Sequence, residues 1–127
     1  MKNLYNKHNP ISFKDVVGQD RVVKELSKRS EHNNFSQVTY FTGITGIGKT
    51  VLQQLVVKSL LCDNKDKDGE PCNTCEICVS VNTGKRLDCY EEYNGADLGK
   101  SDIGSLTSDI FKINPFSKKK IKVVCID

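Results

Sequence analysis

The stretch from Gln37 to Thr50, Q-V-T-Y-F-T-G-I-T-G-I-G-K-T, decides how the rest of the chain is read. Its first half is rich in β-branched and aromatic residues and reads as a short strand. A turn with Gly43, Gly46 and Gly48 follows, and the chain then passes through Lys49 and Thr50 into an apolar helical pattern. That is the strand, G-x-x-x-x-G-K-[ST], helix order of a P-loop, with its spacing complete.

A polyphosphate is wrapped closely only by backbone without β-carbons at the approach points, and the exposed N–H groups then line the anion. Gly43, Gly46, Ile47, Gly48, Lys49, Thr50 and Val51 are therefore the candidate ATP contacts. Lys49 would reach the β- and γ-phosphates, and the Thr50 hydroxyl would take one position on an octahedral Mg²⁺. A glycine-rich turn that matches by chance is the alternative; the strand before it and the helix after it favour nucleotide binding.

With 127 residues the chain suits one domain but is short for a complete NTPase. Its 28% charged and 37% hydrophobic content describes a soluble protein, and no apolar stretch approaches the length of a membrane span. The opening M-K-N-L-Y-N-K-H-N-P lacks the apolar centre of a secretory signal, so the chain reads as cytoplasmic with no membrane partner. A formal charge of +3 is too small to argue for nucleic acid by itself. The Lys118, Lys119, Lys120 run reads as a solvated turn, and His8 and His32 lack neighbours at ligand spacing.

Residues 1–15 read as an extended arm, with Phe13, Val16 and Val17 as the apolar points that dock it. A helix is expected from Gln19 to about Asn33, with Val22, Val23 and Leu26 on one side and His32, Asn33 and Asn34 ending it. After the glycine turn, Val51, Leu52, Leu55, Val56, Leu60 and Leu61 give a helix from Lys49 to about Leu61 a broad apolar stripe. A polar loop then carries the cysteines and a turn at 82–84. Leu87 to Tyr93 reads as a weak strand, Ser101 to about Ile113 as a helix, and Ile121 to Ile126 as a strand. An apolar strand ending in Asp127 has the shape of a Walker B segment, whose carboxylate orients Mg²⁺ beside a P-loop. Lys49 and Asp127 are thus the candidate catalytic residues.

Six cysteines without an export signal argue against a disulfide framework. Cys72, Cys75 and Cys78 form C-x-x-C-x-x-C, and Cys62 ends the preceding helix; four thiolates would close a tetrahedral Zn²⁺ site. An iron–sulfur run would want a further cysteine where Asn82 stands, and a redox C-x-x-C would want a thioredoxin-like context. Unliganded thiols remain the competing reading. Cys89 and Cys125, in apolar strands, read as small packed hydrophobes.

Taken together, Leu4-Tyr5, Pro10, Phe13, Asp15-Val16-Val17-Gly18-Gln19, the P-loop, and Gly69-Glu70-Pro71-Cys72-x-x-Cys75-x-x-Cys78 resemble the ATPase (gamma/tau) subunits of bacterial DNA polymerase III clamp loaders. The resemblance covers essentially the whole chain, and the cysteine loop is its most specific part. It implies an α/β P-loop NTPase core of the AAA+ class, with a parallel sheet and a zinc-binding loop insertion. It also implies action with other clamp-loader subunits in a pentameric ring that places a sliding clamp on primer–template DNA. By position it assigns Val16, Val17, Gly18 and Gln19 to the adenine side, Thr50 and Asp127 to magnesium, and Cys62, Cys72, Cys75 and Cys78 to zinc.

Departures from the family pattern are Asn9 in place of arginine, Ile44-Thr45 in place of Pro-Arg, and Glu92-Tyr93-Asn94-Gly95 in place of an acidic-alanine stretch. They point to a divergent member of phage or prophage type. In this class a glutamate follows the Walker B aspartate, and the strand between the P-loop and Walker B strands comes later in sequence. We therefore expect residues 1–127 to be the N-terminal part of an AAA+ domain, incomplete at its C-terminus, with an arm over 1–18 and a zinc insertion over 62–84. Such a piece is expected to bind nucleotide weakly at most and not to hydrolyse it. The rival readings are another P-loop ATPase of nucleic-acid metabolism, such as a helicase loader or branch-migration motor, and a non-hydrolysing, zinc-stabilised ring subunit.

Overall fold

The computed structural model describes residues 10–36, 38–44, 46, 48–83, 85, 89–93, 99, 104 and 121–126. A 3-10 turn at Phe13–Asp15 leads to three helices, α1 (Asp20–Glu31), α2 (Lys49–Leu61) and α3 (Glu76–Thr83), and to two strands, β1 (Tyr90–Tyr93) and β2 (Val123–Ile126).

Helix α2 is apolar on more than one face, and a helix of that kind must be covered on each of them. Leu52, Leu55 and Val56 pack with Phe13 of the arm and Leu26 of α1. Val57 and Leu61 pack instead with Ile77 and Val81 of α3 and with Cys89 and Tyr90 at β1, while Leu60 touches both clusters. Each buried Leu or Val contributes roughly 1.5–3 kcal/mol relative to exposure, so these two clusters hold α2 between the arm and α1 on one side and α3 with the sheet on the other.

Helix α1 begins one residue later than its polar start suggests, because Gln19 takes the N-cap position with φ 54°. Its end is a Schellman turn: Asn33 has φ 52°, Asn33 N–H donates to the Ser30 carbonyl and Asn34 N–H to the Arg29 carbonyl. The three polar residues expected to stop the helix do so. No helix among the described residues is long and apolar enough to cross a membrane.

β1 and β2 pair in parallel with Tyr90 opposite Val123 and Tyr93 opposite Ile126. Parallel neighbours need a crossover of a dozen or more residues; the helix expected from Ser101 to Ile113 falls in that connection and, apart from Gly104, lies outside the described residues. The α/β character and the parallel sheet are therefore observed.

Two expectations are corrected. The strand expected ahead of the glycine turn does not form among the described residues, and Val38 and Tyr40 there are 84% and 86% exposed. A strand exists only when a neighbour completes its ladder, and a cleft of about 780 Å³ separates Thr39, Tyr40 and Phe41 from Val123 to Ile126. The cysteine region is also not all loop: α3 begins within it, with Ile77, Cys78 and Val81 buried on the side that faces α2.

Candidate functional site

The glycine turn delivers the chain into α2 through Gly48, which has φ 99° and is the N-cap residue. Only glycine enters that region without strain. Gly48 has no side chain with which to cap α2, and the helix has no acidic residue in its first turn. Leu52 N–H donates to Gly48 O at 3.1 Å, the first helical bond from this end among the described residues, and the first N–H groups of a helix have no partner within it. Such an end carries a partial positive charge of about half a unit and favours an anion.

Lys49 folds back across this turn and donates to the Gly43 carbonyl at 2.6 Å. The ammonium is therefore already at the mouth of the turn, held by a neutral acceptor that a phosphate oxygen outcompetes. Thr50 is half-buried in the same first turn. Val16 and Val51 pack on one cluster, so the end of the arm and the start of α2 are brought together. Val17 is not a docking point: it is 97% exposed, and Gly18 and Gln19 after it both have positive φ. Ile47 and Asp127 lie outside the described residues; Ile126, the residue before Asp127, lines the same cleft as Lys49.

The second cluster lies at the other end of α2. The sulfurs of Cys62, Cys72, Cys75 and Cys78 all lie within 4.8 Å of one another. Cys62 and Cys72 sulfurs are 3.4 Å apart, and those of Cys75 and Cys62 4.0 Å. A tetrahedral ion with metal–sulfur bonds near ~2.3 Å needs sulfurs about 3.8 Å apart, so the set fits a closed four-thiolate site.

Backbone geometry supports thiolate character. Amides of Cys72, Cys75 and Cys78 donate to the sulfurs of Cys62, Cys72 and Cys75 at 3.3, 3.3 and 3.5 Å. At Cys72 burial pushes the thiol up, but hydrogen bonds from Thr74, Cys75 and Cys62 outweigh it and bring it down to about 6. Burial leaves Cys62 and Cys78 raised. One thiolate thus stands ready, and the raised thiols would release their protons as a cation binds. Cys89 and Cys125 take no part: Cys89 is buried in the core beside β1, and burial raises Cys125 to about 11.

Two residues given no role by the sequence join these sites. Lys58, only 1% exposed, donates to Ile11 O, Asn73 Oδ1 and Asn82 Oδ1 at 2.9, 2.9 and 3.0 Å. Glu70, 6% exposed, accepts from Phe13 N–H at 2.8 Å. The available signal was a lysine inside an otherwise apolar run, V-V-K-S-L-L.

This chain is similar along nearly its full length to DNA polymerase III subunits and to a plant protein. It is 33% identical over 124 residues to DNA polymerase III subunit gamma/tau of Mycoplasma genitalium, covering 98% of this chain and 20% of the relative. It is 32% identical over 124 residues to DNA polymerase III subunit tau of Bacillus subtilis, covering 98% and 22%. A plant protein, STICHEL-like 1 of Arabidopsis thaliana, is 28% identical over 127 residues, covering 100% of this chain and 11% of its own length. The chain thus spans about a fifth of the bacterial relatives it matches. Residues 18–127, which hold the glycine turn, the four clustered cysteines and both strands, match the family described as DNA polymerase III, delta subunit, and the chain belongs to that family.

Proposed function

We propose that this chain is the ATP-binding part of a DNA polymerase III clamp-loader subunit of the AAA+ class. In the whole protein, ATP hydrolysis would drive the loading of a sliding clamp onto primed DNA, within a pentameric ring of related subunits. The observation that carries the reading is the Lys49 ammonium lying across the glycine turn, 2.6 Å from Gly43 O, at the N-terminus of α2.

In this reading Gly43, Gly46, Ile47 and Gly48 present backbone amides to the phosphates, and Val51 closes the phosphate side. Lys49 exchanges its carbonyl partner for phosphate oxygens. Thr50 and Asp127 hold Mg²⁺, which supplies charge neutralisation between the phosphates. Val16, Val17, Gly18 and Gln19 form the adenine side. Cys62, Cys72, Cys75 and Cys78 hold a structural Zn²⁺. Phosphoryl transfer at such a site rests on positioning and electrostatics, which is why the cradle matters more than any single reactive group.

Titration with a fluorescent ATP analogue and magnesium tests it. Lys49→Ala is expected to weaken binding by at least about 30-fold, consistent with loss of a charge-assisted contact of roughly 2 kcal/mol or more. Indifference to that substitution would sink the proposal.

A further inference from the structure

The cysteine loop reaches the arm through an exposed Lys14–Asp68 ion pair at 3.5 Å and through two buried or half-buried polar contacts. Glu70 lies between Cys62 and Cys72, and its carboxylate accepts the Phe13 N–H. Asn73 lies between Cys72 and Cys75, and its oxygen shares the Lys58 ammonium with the Ile11 carbonyl. Both contacts therefore run from residues that lie among the cysteines in sequence to residues 11–13, a few positions before Val16. Gly69, beside Glu70, is in turn bound at its carbonyl by the Ser30 hydroxyl of α1.

We infer that Glu70 and Lys58 are positioning residues through which a metal held by the four cysteines sets the base side of the nucleotide site, so that metal occupancy and adenine-nucleotide affinity are linked. This rests on the nucleotide and zinc reading proposed above. Without an ion, four sulfurs crowded within 4.8 Å have no common partner, and the loop carrying Glu70 and Asn73 is loosened on its cysteine side, held only by bonds to α1 such as Ser30 Oγ to Gly69 O and Lys65 Nζ to Ser30 O. The arm then keeps Phe13 and Val16 in the core but loses the polar contacts that fix its backbone. The phosphate cradle is different: it lies at the far end of α2, about 20 Å away at 1.5 Å per residue. Packing of Leu52 and Leu55 holds it there, not the loop. Linkage is therefore confined to the base side, and it is reciprocal.

The test compares metal-loaded and metal-stripped chain, both returned to magnesium buffer, with two probes: a fluorescent ATP analogue and inorganic tripolyphosphate. Stripping is expected to weaken the ATP analogue about tenfold, within the usual range of coupling between sites, and tripolyphosphate by less than about twofold. Glu70→Ala, which removes the acceptor of the Phe13 N–H, should keep one cobalt(II) per chain by its thiolate absorption, weaken the ATP analogue about fivefold, and abolish most of the further loss on stripping. Hydrogen exchange should quicken over residues 11–19 on stripping while the centre of α2 stays protected.

Equal loss of both probes, or uniformly fast exchange, would mean general loosening and overturn the inference. So would an ATP affinity that ignores stripping while Lys49→Ala abolishes it, and that result leaves the nucleotide reading intact. Indifference to Lys49→Ala, or no stoichiometric cobalt, overturns the reading and the inference together.

Discussion

Lys58 Nζ and Asn82 Oδ1 meet 3.0 Å apart where α2 and α3 pack, and the three hydrogen bonds of that ammonium all go to neutral oxygens. Burial lowers the Lys58 pKa, with Cys78, Glu70, Asp15 and Cys62 pulling it the other way. Against that burial, each of the ammonium's three protons finds an acceptor. Replacing it with an apolar chain of similar length strands those acceptors, each in part removed from water. Lys58→Met is expected to cost about 2–4 kcal/mol in denaturant unfolding. A loss under about 0.5 kcal/mol would show that water replaces the ammonium without penalty.

Two glycines with similar backbone angles should respond differently to alanine. Gly69 has φ 81°, and a Cβ there would lie 2.6 Å from Glu31 N and 2.9 Å from Ser30 C, both backbone atoms. Gly46 has φ 86°, but a Cβ there meets nothing within 4 Å. Gly46→Ala should cost about 1–2 kcal/mol from the left-handed backbone alone. Gly69→Ala carries that cost plus the separation of the loop from α1, about 3 kcal/mol or more in all. Thermal unfolding of the two variants side by side checks the order, and equal melting points would contradict the close approach at Gly69.

Much of this was legible in the sequence because it is local. The helix expected from Lys49 to Leu61 is observed with those bounds, since Gly48 must start it and an apolar run sustains it. The end of α1 was readable from three polar residues that tolerate a left-handed turn. The four cysteines expected as one cluster lie together, since two-residue spacers turn the chain around a common centre. What escaped depends on partners distant in sequence. Val38 to Phe41 has strand composition, yet composition cannot supply a neighbouring ladder. The C-x-x-C-x-x-C spacing hid α3, because metal-ligand periodicity and the β-branched Val79, Val81 and Thr83 argue against a helix that burial of Ile77 and Val81 nonetheless imposes. The roles of Lys58 and Glu70 could not be read, as the arm residues they meet are 47 and 57 residues away.

Metal retention should divide the six cysteines four to two. Cys72→Ser removes the thiol that hydrogen bonds hold down at about 6 and is expected to reduce bound cobalt to well under one per chain. Cys125→Ser alters a half-buried side chain of β2 outside the cluster and should leave the cobalt spectrum unchanged, at a stability cost of about 1 kcal/mol. Thiolate absorption after dialysis decides the matter; full retention by Cys72→Ser would remove it from the ligand set.

The pH dependence of stability should carry the signature of Glu70. Burial holds its carboxyl above the usual carboxylate value, with Asp66 adding to the rise and the Phe13 and Lys14 amides opposing it. A carboxyl raised in the folded state binds its proton more tightly there than in the unfolded chain. Its contribution is therefore fully present below the ordinary value of about 4.5 and is lost as pH rises through the raised one. Glu70→Gln mimics the protonated form and has no such dependence. Wild type should lose stability relative to Glu70→Gln as pH climbs from about 4 toward neutrality, by roughly 1.4 kcal/mol for every tenfold by which folding tightens proton binding. Taking the difference between the two proteins cancels titration of the cysteines, which both share. Urea unfolding of metal-stripped samples across that range gives the slope directly. A difference that stays flat, or that favours wild type increasingly as pH rises, would mean that the two amides outweigh burial and hold Glu70 ionised.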